Sequence, residues 1–149
     1  MPVSSTLVDE GLTVFGIDAS PTLVSMFRRR FGDDHAACEL AQNSTFFDRT
    51  FDGIVAVGLM FLLPEDDERK LIHRVRKALA PDGRFLFSAP RQQCEWADMQ
   101  TGQRSVSMGE AEYVRSCAEA GMRLVNTYID EGANHYFEAA PCAKRPDRD

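Results

Sequence analysis

Apolar positions along this chain fall into short blocks, some with strand spacing and some with helix spacing. Leu12 to Ile17 is a β-prone run that ends on Asp18, and Ser20-Pro21 behind it reads as an N-cap followed by proline at the first helical position. The helix so opened carries Leu23, Val24, Phe27 and Phe31 at helical spacing, turns Arg28, Arg29 and Arg30 mostly to solvent, and meets Gly32 as a stop. From His35 to Thr50 the pattern fades: Ala36-Ala37-Cys38 suits a short strand, and the rest reads as loop with a turn of helix. Phe51 to Phe61 is the strongest strand signal, a near-continuous apolar run of the kind buried on both faces of a parallel sheet. Pro64 and the acidic stretch Glu65 to Glu68 open a second helix, where negative charge complements the helix dipole. Leu71, Ile72, Val75, Ala78 and Leu79 form its apolar face; Pro81-Asp82-Gly83 predicts a turn, and Arg84 to Ser88 another buried strand.

Arg91 to Val106 is polar and aperiodic, with Trp96 in its middle. Ser107 and Glu110 form an S-x-x-E capping box ahead of a helix whose inner side is Tyr113, Val114, Cys117, Ala118 and Gly121. Met122 to Ile129 and Tyr136 to Ala139 read as strands joined by a turn-rich connector over residues 130–134. Alternating strands and helices predict an α/β fold with a mostly parallel sheet. So short a final connector makes the last strand antiparallel to its neighbour. One domain over residues 1–141 follows, with 142–149 as a frayed tail.

Composition narrows the function. With 149 residues, 44% apolar and 27% charged, the chain suits a single soluble domain. No apolar run approaches the roughly 20 residues that span a bilayer, and Met1 to Asp9 lacks the basic and apolar regions of a secretory signal. A net charge of −6 argues against a nucleic-acid partner. Cys38, Cys94, Cys117 and Cys142 form no C-x-x-C pair and the three histidines are scattered, so no metal site is predicted and reduced thiols in the cytoplasm are expected.

Three segments together resemble class I S-adenosylmethionine (SAM)-dependent methyltransferases. Gly11 to Ser20 is similar to the family's second strand and the acidic residue closing it; Phe51 to Ala56 to its fourth strand; Leu79 to Leu86 to the L-x-P-G-G turn before the fifth, with Asp82 where glycine is usual. The strands after Gly121 fit the family's reversed last hairpin, so the resemblance implies a Rossmann-like sheet and covers Leu7 to about Pro141. The family's first strand and glycine-rich cofactor loop have no counterpart: the ten glycines never fall at G-x-G spacing, and Ser5 to Gly11 resembles only the end of the helix after that loop. An N-terminally incomplete domain is expected, with the segment either absent or supplied by another chain.

The resemblance implies roles for particular residues. Asp18, with Ala19, stands where a carboxylate accepts hydrogen bonds from ribose hydroxyls, or else caps the following helix. Glu39 resembles the acidic position near the adenine amine, with Leu40 against the ring; the alternative is an exposed loop glutamate. Gly58 and Leu59 follow the fourth strand, where open α/β sheets hold ligands, and by resemblance line the methionine end of SAM. His135 is the candidate general base, beside Asn134 and Tyr136 as substrate contacts; the competing reading is a hairpin histidine bound to backbone. Arg91 and Trp96 belong either to a substrate lid or to a surface loop.

Methyl transfer from an activated sulfonium asks mainly for alignment, so the lack of a strong acid–base constellation fits it. The expected function is SAM-dependent methylation of a small molecule, with activity in doubt without the glycine-rich loop. A non-catalytic remnant or oligomeric interaction domain is the first alternative, and a nicotinamide-dependent oxidoreductase the second. Removal of a mid-sheet strand predicts either direct closure of its two neighbours or open apolar edges, and the latter lead to a homodimer.

Overall fold

A computed structural model describes residues 2–97, 99 and 101–143; the tail from Lys144 to Asp149, expected to fray, lies outside the described residues. The chain divides into two compact units, Met1–Phe47 and Asp48–Asp149.

The first unit contains α1 (Pro2–Asp9), β1 (Gly16–Asp18), α2 (Pro21–Phe31) and β2 (Ala36–Cys38). Ser20 caps α2 as predicted, its Oγ accepting from the Leu23 amide at 3.3 Å, and Gly32 ends the helix at φ +112°. Strands β1 and β2 run parallel, from Gly16 opposite Ala36 to Asp18 opposite Cys38. The strand begins later than the apolar run because its partner is only three residues long. Ahead of it, Val14 offers its carbonyl to His35 Nδ1 at 3.0 Å, and Phe15 stacks on the same imidazole at 4.5 Å. Val24, Phe27 and Ala36 form the core, with Val14 and Phe31 packed against it. Leu23 is exposed, because it sits about 100° round the helix from Val24.

The second unit contains β3 (Phe51–Ala56), a 3₁₀ turn at Met60–Leu62, α3 (Glu65–Ala78), β4 (Leu79–Ser88), β5 (Cys94–Ala97), β6 (Arg104–Ser107), α4 (Glu110–Glu119), β7 (Met122–Ile129) and β8 (His135–Pro141). Its main sheet has the order β3-β4-β8-β7, with β3 parallel to β4 and β8 antiparallel to both neighbours. This is the predicted α/β sheet with a reversed terminal strand. The core is aromatic: Phe87 lies 5.2 Å from both Tyr113 of α4 and Phe137 of β8, all fully buried. Leu71, Ile72 and Val75 of α3 are buried as their spacing requires.

Four expectations need correction. Phe51–Ala56 is not covered on both faces: β3 is an edge strand, and Val55 is 42% exposed. The Pro81-Asp82-Gly83 turn is absorbed into β4 as an irregularity, the register passing from Phe51 opposite Leu79 to Gly53 opposite Arg84. The aperiodic Arg91–Val106 stretch holds the antiparallel hairpin β5–β6, which shows no alternation because β5 is largely exposed and β6 is buried at three successive residues, Ser105 to Ser107. The capping box does not form, because both its residues are used elsewhere. Ser107 Oγ donates to the Pro90 carbonyl at 2.6 Å and accepts from the Gly109 amide at 3.2 Å, while Glu110 pairs with Arg91 at 2.7 Å. Gly109 stands at the N-cap at φ +85° instead, and on α4 Val114 and Ala118 are exposed while Ser116 joins Tyr113 and Cys117 on the buried face.

Candidate functional site

In the first unit, parallel pairing brings the carboxyl ends of β1 and β2 together. The Glu39 amide donates to the Asp18 carbonyl at 3.0 Å, so Asp18, Ala19, Glu39 and Leu40 share one edge. Asp18 Oδ1 accepts from the Ser20 amide at 2.7 Å, the helix-capping role weighed for it; the side chain is exposed and its second oxygen carries no described hydrogen bond. One oxygen thus fixes the rotamer and the other is open to a hydroxyl donor. Glu39 Oε1 accepts from Ser44 Oγ at 2.5 Å, and Ser44 is itself fully buried and takes the Phe46 amide at 2.9 Å. Glu39 is therefore held in place rather than waving in solvent, and Leu40 beside it is 49% exposed.

In the second unit the corresponding edge is the end of β3 and β4. Past the last paired residues, Ala56 and Phe87, the Gly58 amide donates to Ser88 Oγ at 2.8 Å. Gly58 has φ +71°, and a Cβ built on it would meet no atom within 4 Å. The turn therefore presents bare backbone to open space, a shape that a ligand can approach and a side chain would obstruct. Leu59 follows, its carbonyl closing the 3₁₀ turn through the Leu62 amide at 2.9 Å. His135, first residue of β8, lies beside the end of β4, its carbonyl accepting from the Ala89 amide at 3.2 Å. The imidazole meets Phe137 edge-on at 4.8 Å, and its Nε2 is buried without a partner. That nitrogen is the unspent polar atom of this edge.

The other candidates are spread out. Trp96 on β5 lies 5.6 Å from Phe61 of the 3₁₀ turn, so hairpin β5–β6 is tied to the segment directly after Gly58 and Leu59. Arg91 is at the hairpin base, paired with Glu110. Asn134 and Tyr136 both turn to Asp130: the Asn134 amide and side chain reach it at 2.9 and 3.1 Å, and Tyr136 Oη at 2.7 Å. The Tyr136 hydrogen bond leads the contacts that hold the Asp130 carboxyl below its usual range. Asp130, Tyr136, Leu86, Tyr128 and Ile129 line a shallow depression of about 430 Å³.

Sequence reasoning missed Ser88, whose role shows only once β3 and β4 are paired. It also missed Glu68, which stands in the acidic run expected to complement the helix dipole yet is fully buried, its Oε1 accepting from Tyr113 Oη at 2.7 Å. Burial pushes this carboxyl up to about 8, and its Oε2 has no partner. Among the described residues no three His, Cys, Asp or Glu side chains are grouped to hold a metal.

A parallel strand pair with an acidic strand end in the first unit, and in the second a four-stranded sheet with one reversed strand and an open glycine turn at a carboxyl edge, are features of the class I SAM-dependent methyltransferase fold. The chain belongs to the methyltransferase domain family, whose model matches residues 3–83. Solved structures agree. The Burkholderia thailandensis 1,6-didemethyltoxoflavin-N1-methyltransferase, crystallised with 1,6-didemethyltoxoflavin and S-adenosylhomocysteine, is 18% identical at TM-score 0.75; the match covers 94% of this chain and 66% of that one. The methyltransferase CcbJ from Streptomyces caelestis is 15% identical at TM-score 0.74, with 92% and 78% covered. The glycopeptide N-methyltransferase MtfA, complexed with SAM, is 19% identical at TM-score 0.68, with 92% and 75% covered. No curated protein matches the sequence. The family match sets aside the nicotinamide-dependent alternative. No helix among the described residues is long and apolar enough to cross a membrane.

Proposed function

We propose that the chain serves SAM-dependent methyl transfer to a small molecule. The observation that carries the reading is the Gly58 turn, pinned at its amide and empty at its Cα face, within a chain of the methyltransferase family. In the first unit, the open oxygen of Asp18 would accept from ribose hydroxyls, with Ala19 alongside, and Glu39 and Leu40 would receive the adenine amine and ring face. In the second, Gly58 and Leu59 would take the methionine end. SAM, when bound, supplies a methyl group on a sulfonium that already leaves readily. What these residues add is alignment, exclusion of water and a place for the acceptor's proton, for which the unpartnered His135 Nε2 is our candidate. Trp96 and Arg91 on the hairpin, and Asn134 and Tyr136 at the β7–β8 turn, are our candidates for acceptor contacts; the last two would have to release Asp130 to serve.

These 149 residues hold no G-x-G spacing of the kind that lets a glycine loop approach the cofactor backbone-first, so the expected affinity of this chain alone is weak. The second reading, a non-catalytic interaction domain, is favoured by the outer position of β3 in its four-stranded sheet and by exposed Val55, which suit the addition of a further strand. Both readings lead to the same assembly, a two-fold dimer. Four free cysteines support a cytoplasmic setting. Titration with S-adenosylhomocysteine, followed by NMR of backbone amides, tests the function. Shifts at residues 17–19 and 57–59 support it, and an unresponsive spectrum at millimolar ligand contradicts it.

A further inference from the structure

Resting on the methyltransferase reading, we propose that Ser88 is a positioning residue, which holds the Gly58 turn in its ligand-receiving shape. Ser88 is the last residue of β4 and is 6% exposed. Its Oγ accepts the Gly58 amide at 2.8 Å, one step beyond the final backbone pairing of β3 with β4. Because β3 is an edge strand, this is the last described hydrogen bond from its outgoing turn to β4, ahead of buried Met60.

Gly58 needs that tie. Its φ of +71° lies in the left-handed region, which glycine enters freely but from which it also leaves freely. Nothing packs on its Cα face to hold it, since no atom lies within 4 Å of a Cβ position there. The hydrogen bond supplies the constraint that packing does not. Ser88 donates no described hydrogen bond through its own hydroxyl, so the proton remains available to a polar ligand atom brought against the turn. A hydroxyl is required: alanine leaves the Gly58 amide without its partner, whereas threonine keeps both acceptor and donor.

The test uses the full chain with Ser88→Ala and Ser88→Thr, reading hydrogen exchange at the Gly58 amide and the dissociation constant for S-adenosylhomocysteine from NMR titration. In Ser88→Ala, Gly58 exchange should rise about tenfold and affinity fall by a similar factor, from loss of one hydrogen bond of ordinary strength. Amides of Ile54 and Phe85, inside the sheet, should exchange as in the parent, and Ser88→Thr should restore both readouts. A purely structural role would instead speed exchange across the whole β3–β4 pair. Unchanged Gly58 exchange in Ser88→Ala, or faster exchange with parental affinity, overturns the proposal while leaving the function standing. A parent chain that does not respond to S-adenosylhomocysteine overturns both.

Discussion

Replacing Glu68 by glutamine should make the protein more stable in alkali while leaving it nearly unchanged in acid. The carboxyl is fully buried between α3 and α4, with Tyr113 Oη on one oxygen and nothing on the other. Desolvation raises its pKa from an ordinary 4.5 to about 8, against a smaller opposing effect of the Tyr113 hydrogen bond. The folded state therefore keeps a proton that the unfolded chain gives up. Stability is fully present below pH 4.5 and is lost as pH rises towards 8. At about 1.4 kcal/mol for each pH unit across that window, the loss approaches about 5 kcal/mol, with about 3 kcal/mol as a conservative floor. Set against a total of about 5–15 kcal/mol for a typical domain, that is a substantial share. Glutamine keeps the acceptor for Tyr113 and carries no charge to desolvate. Its extra N–H costs about 1 kcal/mol if it finds no partner. Urea unfolding of parent and Glu68→Gln at pH 5 and pH 8.5 cancels the other ionisable groups, including Glu65 and Arg69. The variant should be equal or slightly weaker at pH 5 and clearly stronger at pH 8.5. A difference that does not change with pH would refute the reasoning, since it would mean that Glu68 ionises as freely folded as unfolded.

Asp18→Ala should weaken S-adenosylhomocysteine by about 1–3 kcal/mol through loss of a charged hydrogen-bond acceptor, read by NMR titration; equal affinity would remove the ribose role. His135→Gln should leave that affinity unchanged, since the imidazole is assigned to the acceptor's proton. Gly109→Ala should cost about 1–3 kcal/mol in thermal or urea unfolding. Its φ is +85° and the new Cβ would fall 2.9 Å from the Gln93 backbone nitrogen, so neutral behaviour would show that the hairpin base can shift. Sedimentation at micromolar concentration should find a dimer, and a stable monomer would show that the β3 edge needs no partner.

Much of the fold was legible because its signals are local. Ser20-Pro21 and Gly32 bracket α2 through cap chemistry that needs no tertiary partner, and the spacing of Leu71, Ile72 and Val75 writes the buried face of α3 directly. That a glycine turn follows the strand Phe51–Ala56 was legible from the apolar run that precedes it. What was hidden depends on pairing. The two faces of β3 cannot be read from Phe51–Ala56 alone, because an edge strand and a central one share the same composition. Hairpin β5–β6 carries alternation too weak to see, and Ser107 forms no capping box because the Pro90 carbonyl competes for its hydroxyl. Ser88 and Glu68 were invisible for the same reason: each gains its meaning from a residue at least 30 positions away, Gly58 and Tyr113 respectively.

The central claim is that the Gly58 turn faces the methyl-bearing end of SAM. Ultraviolet irradiation of the full chain with millimolar methyl-labelled SAM, followed by peptide mapping, tests it most directly. Label should concentrate on residues 57–62 and decline when S-adenosylhomocysteine is added but not when NAD is added. Label spread evenly over the chain, or displaced equally by NAD, would contradict the account.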